Sequence, residues 1–222
     1  MICLSVSSSW QFFARSLLSY LNDSVPVQIW EYQQTEDEAR SLDMGVKLLH
    51  NFLTWRDRPL HLISHSTSRL VGWMYARRYP HKVSSLGLLA VGWWYAINLQ
   101  ADYYTHLSAF SWICKQVVNQ MVGDLLGLKS QSITQIFISY FKDDLACSPC
   151  PHSLFRMSNS RDEGGEVPLL ICSRKMDFVL SPIVMRRWSK FLKKGSSLGL
   201  GNVKTVGISF TTSIHNKSAK KY

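Results

Sequence analysis

The sequence predicts an α/β protein built on a mostly parallel sheet of about six strands flanked by helices. Strand-like and helix-like segments alternate strictly from Ile2 to Val91. An aromatic-rich helical stretch then breaks the rhythm, and a strand, a helix and a last strand follow between Val167 and Phe210. Alternation of this kind makes a parallel sheet, because each crossover helix returns the chain to the same end of the sheet with right-handed sense. With 222 residues and 46% hydrophobic content, the chain can bury one large core, and global disorder is excluded.

Taken in order, Ile2 to Val6 reads as a short strand, and Ser7-Ser8-Ser9 can cap a helix that begins near Trp10 and turns Phe13, Leu17 and Leu21 to one face. Val25 to Trp30 is a second strand. Thr35-Glu36-Asp37-Glu38 reads as a capping box for a helix with Ala39, Leu42, Val46, Leu49 and Leu53 inward. Leu60 to Ser64 is a third strand, Ser68 to Tyr79 a helix stopped by Pro80, and Val83 to Val91 a strand dominated by Leu and Val.

From Trp93 to about Pro151 the chain is mainly helical and reads as an inserted cap. A polar loop containing Gly164-Gly165 leads to a strand at Val167 to Cys172, Ser181-Pro182 starts a helix, and Val203 to Phe210 is the last strand. The expected organisation is residues 1–92 as the first part of the core, 93–155 as the helical cap, 156–214 as the second part of the core and 215–222 as a basic tail.

The formal charge of +10 raises nucleic acid or an anionic membrane as partners, but nine Lys or Arg and no acid lie between Phe178 and Tyr222. The other 177 residues carry 16 bases against 15 acids, so basicity belongs to one end. No aromatic-interleaved stacking pattern accompanies it, and a solvated surface is the expectation rather than a specific nucleic-acid site. Five scattered cysteines do not read as a disulfide framework, which favours a reducing compartment. Met1 to Val6 lacks a basic n-region, and no apolar run approaches the roughly 18 residues that span a bilayer. The expected location is cytoplasmic. Cys147-x-x-Cys150 with His152 has a metal-like start but no second ligand pair nearby, so no metal is assigned.

Chemistry in a parallel sheet collects at the carboxyl ends of its strands. There, Leu62-Ile63-Ser64-His65-Ser66-Thr67-Ser68 stands between a strand and a helix. A nucleophile elbow needs such a junction, with one serine strained at its apex and small residues two before and two after it. Ser66 is the apex candidate, and Ser64 and Ser68 stand where G-x-S-x-G has glycine. Serine before a helix is also an ordinary cap. His65, beside it, is expected to be packed rather than catalytic.

The run from Pro59 to Gly92, with His65-Ser66, Ala76-Arg77-Arg78-Tyr79-Pro80 and Val83 to Leu89, resembles the α/β-hydrolase superfamily, particularly its esterase, lipase and haloperoxidase-like members with a helical cap. The resemblance implies that Ile2 to Val6 is the third strand of the family's sheet, so that the first two are lacking and six contiguous strands remain. It further implies Ser66 as nucleophile, Asp177 in Met176-Asp177-Phe178-Val179 as triad acid and His215 as base, with Val6-Ser7 and the N–H of Thr67 around the oxyanion. Trp93 is placed at the mouth of a substrate pocket. Asp177 also reads as a helix cap or a loop residue, and the other aromatic residues from Trp94 to Trp112 as packing within the cap.

The function implied is that of a serine hydrolase acting on an ester or similar acyl small molecule, without a cofactor. The alternative is a catalytically inactive member of the fold that binds or interacts.

Overall fold

The computed structural model describes residues 1–6, 11–33, 41–65, 68–89, 114–126, 131–147, 165–174 and 197–203. Strands β1 (Ile2–Ser5), β2 (Gln28–Glu31), β3 (Leu60–His65), β4 (Val83–Leu89), β5 (Leu169–Arg174) and β6 (Leu198–Val203) form one sheet in the order β2-β1-β3-β4-β5-β6. Every pairing is parallel, so the carboxyl ends of all six strands lie along one rim. β2 and β6 are the edge strands among the described residues, and six contiguous strands are what the sequence leads one to expect.

Helices α1 (Gln11–Asn22), α2 (Leu42–Thr54) and α3 (Ser68–Arg78) follow the first three strands. Alternation along the strands splits their side chains between two faces. Ile2, Leu4, Trp30, Leu62, Leu86 and Leu88 pack in one core with Leu42, Val46, Leu49 and Leu53 of α2 and with Leu70, Val71 and Trp73 of α3. Ile63, Leu89 and Cys172 meet Leu17 and Leu21 of α1 in a smaller cluster. Each of these buried Leu or Val side chains contributes about 1.5–3 kcal/mol over leaving it in water, so the sheet and its helices stand or fall together.

α3 is the most enclosed element: Ser68, Arg69, Leu70, Val71, Gly72, Trp73, Tyr75 and Ala76 are all buried. It ends at Arg78, and Pro80 opens a short 3-10 turn, Pro80–Lys82, that leads into β4. α4 (Cys114–Leu126) and α5 (Gln131–Cys147) build a core of their own from Val117, Val118, Met121 and Val122 against Phe137, Ile138 and Phe141.

One element differs from the sequence reading, and another was not foreseen. α2 begins at Leu42, not at a capping box near Thr35, because Ser41 is its N-cap: the Ser41 hydroxyl accepts a hydrogen bond from the Met44 N–H at 3.1 Å. Residues 34–40 lie outside the described part of the chain.

The sixth strand, Leu198–Val203, is one the sequence reading did not assign, and the expected strand Val203 to Phe210 lies outside the described residues beyond Val203. Gly199 is where β6 lies close against β5. A side chain there would begin 3.0 Å from Leu170 Cδ1. The expected helix after Ser181 falls outside the described residues.

Candidate functional site

β3 ends at His65 and α3 begins at Ser68, so two residues join them. β3 lies between β1 and β4 with Leu62 and Ser64 buried, and α3 packs against β1, β3 and β4.

Ser68 closes the link from the helix side. Its hydroxyl accepts a hydrogen bond from the His65 N–H at 3.0 Å and donates one to the His65 carbonyl at 2.8 Å. One hydroxyl thereby satisfies both backbone groups of the last residue of β3, and Ser68 itself is 2% exposed. Two neutral hydrogen bonds contribute about 1–3 kcal/mol, the same size as the strain an elbow carries.

Ser64, at the other glycine position of the motif, is wholly buried, and its hydroxyl has no hydrogen-bond partner among the described residues. The space for it comes from Gly72, about one helical turn into α3. Arg69 is 2% exposed as well, where the motif would be comfortable with a small side chain. Burial pushes the His65 imidazole down to about 4, so it is neutral at physiological pH and has the character of a packed group.

Burial also pushes the Cys3 thiol up to about 11 and raises that of Cys172, which keeps both protonated and removes them as nucleophiles.

Of the residues assigned from the sequence, Val6 is described: it directly follows β1, and its side chain is buried in the main core. β1 and β3 are neighbours with Leu4 in register with Ser64, so Val6 and the β3–α3 link leave the same rim side by side. Ser7, Ser66, Thr67, Trp93, Asp177 and His215 lie outside the described residues. The strands that precede them are placed. β4 ends four residues before Trp93, β5 three before Asp177 and β6 twelve before His215, all on that rim.

Sequence reasoning noticed Ser64 and Ser68 as departures from glycine and missed what they do. The available signal was Gly72, a helix-interior glycine that costs about 1 kcal/mol and so asks for a packing reason.

A six-stranded parallel sheet with a two-residue link from its central β3 into a buried helix is the fold of the α/β-hydrolase superfamily. No known family model matches the chain. It is similar to a hydrolase from Oleispira antarctica (TM-score 0.67, 15% identity, 96% of this chain and 86% of that one). A hydrolase from Pseudomonas aeruginosa gives a TM-score of 0.66 at 15% identity, over 96% and 85% of the two chains. An epoxide hydrolase from Bacillus megaterium gives 0.64 at 11% identity, over 97% and 89%.

In sequence the chain is 35% identical over 199 residues to the uncharacterized protein sll0249 of a Synechocystis species, covering 90% of this chain and 79% of that protein. It is equally 35% identical over 190 residues to the uncharacterized protein alr2406 of a Nostoc species, covering 86% and 76%. The chain belongs to the family of these two cyanobacterial proteins.

Proposed function

We propose that the protein is a serine hydrolase that cleaves an ester or a similar acyl small molecule. The observation that carries this reading is the two-residue link between β3 and α3, fastened by Ser68, with Ser66 as its first residue in the sequence. In the proposed reaction the Ser66 hydroxyl attacks the acyl carbonyl while His215 takes its proton and Asp177 orients the imidazole. The N–H of Thr67 and one from the Val6-Ser7 turn hold the oxyanion. The tetrahedral intermediate collapses as His215 returns the proton to the leaving alkoxide, and water then releases the acid by the same route.

Trp93 borders the acyl pocket, and residues 93–155, which include the α4–α5 pair, cover it as a cap. No cofactor is needed for this chemistry. The proposed location is the cytoplasm. Among the described residues, no helix is long and apolar enough to cross a membrane.

A fluorophosphonate probe tests the reading directly: it labels folded wild-type protein covalently, and Ser66→Ala abolishes the labelling. One observation favours a second reading, a non-catalytic binding protein of the same fold. β6 ends at Val203, which leaves His215 twelve residues further along, whereas the resemblance puts the base in the loop directly after the last strand. Folded protein that takes up no probe at any pH would establish that alternative.

A further inference from the structure

We infer that Ser68 is a positioning residue: its hydroxyl holds the link after β3 in the conformation in which Ser66 reacts. The inference rests on the hydrolase reading above and adds a residue that the superfamily's pattern does not supply, since the motif has glycine at this place. A glycine gives a tight junction room. A serine there must either crowd the junction or be used by it.

The geometry shows that it is used. β1 pairs with β3 only as far as Leu4 with Ser64, so His65 is the first residue of β3 beyond that pairing. The Ser68 hydroxyl reaches back three residues to both the amide and the carbonyl of His65, at 3.0 and 2.8 Å. Ser68 is buried, so neither bond competes with water.

Both ends of the link are thereby joined through one atom. His65 is fixed along β4 by its register with Leu89, and Ser68 is fixed by the packing of α3 on the core. With the hydroxyl removed, the link keeps its length and sequence but loses the tie between its ends, and the reactive geometry becomes one of several.

Two measurements on the full-length protein test this. The first is fluorophosphonate inactivation, resolved into the saturating rate kinact and the half-saturation constant KI, well below the unfolding midpoint. Ser68→Ala and Ser68→Gly should lower kinact about tenfold to hundredfold, the scale on which misplaced reacting groups lose rate, with KI unchanged within about twofold. Ser68→Thr, which restores a hydroxyl, should bring kinact back to within about threefold of wild type. Wild-type kinact in either hydroxyl-free variant would overturn the inference, as would a threonine variant that folds and is as slow as alanine.

The second is amide exchange at His65 by NMR, which reads the tie whether or not Ser66 reacts. Exchange should accelerate at least about tenfold in Ser68→Ala, as expected when a protecting hydrogen bond is lost. Wild-type protein that takes no probe, with His65 exchange faster in Ser68→Ala, would remove the hydrolase reading and leave the tie standing. Unchanged His65 exchange with full labelling would remove the tie and leave the hydrolase reading.

Discussion

Ser64 and Gly72 occupy one space between β3 and α3: a Cβ on residue 72 would stand 3.0 Å from Ser64 Oγ, with Leu4 Cδ1 at 3.2 Å and Leu86 Cδ1 at 3.3 Å. The motif's usual order puts the missing side chain on the strand. Here it is missing from the helix, and the strand carries a hydroxyl in its place.

This pair predicts a coupled response to mutation. Gly72→Ala gains helix propensity worth about 1 kcal/mol but overpacks a site closed on three sides, at about 1–3 kcal/mol. The expected outcome is a net loss. Adding Ser64→Gly should return part of it, with a coupling of at least about 0.5 kcal/mol in a double-mutant cycle read by urea denaturation. Strictly additive effects would show that the two positions do not share the space.

His65 should shape the acid side of the stability curve. Its imidazole is pushed from 6.5 down to about 4 by burial, so between those values the unfolded chain binds the proton more readily than the native one. Its contribution is complete above pH 6.5 and is lost as pH falls toward about 4. Urea midpoints measured across that window should fall less steeply for His65→Gln than for wild type, and equal slopes would contradict the assignment.

Gly165 should tolerate no side chain. A Cβ there would sit 2.7 Å from Trp73 Cη2 and 2.9 Å from Cζ3, and an indole cannot bend away. Gly165→Ala should therefore cost about 1–3 kcal/mol of stability in denaturant titration. Pairing it with Trp73→Leu should show less than the sum of the two losses.

The fold was readable because its strands are short apolar runs set off by helix signals. Leu60, Leu62 and Ile63 in β3, and Val83, Leu86, Leu88 and Leu89 in β4, mark short strands bounded by Pro59, Pro80 and the helix between them. β6 was missed because Leu198-Gly199-Leu200-Gly201 has too few side chains to show a period, and Gly199 lies against Leu170, far away in sequence. The start of α2 was misplaced because two capping patterns stand six residues apart, and propensity does not decide which one caps Leu42.

At the candidate site, local reading found the junction between β3 and α3. It could not see that Ser68 reaches back to His65, because a serine at a helix start looks the same whichever way its hydroxyl points. Nor could it pair Ser64 with Gly72, since that relation exists only once helix and strand are packed face to face.

The enclosure of α3 sets how this protein should fail. A helix gripped on almost every side cannot tilt or slide without repacking the main core, so the short span after β3 hangs between two posts that move only when everything moves. Heating should then show no stage at which the centre has gone slack while the rest of the molecule stays intact. Probe uptake and the far-ultraviolet signal should vanish in a single melt.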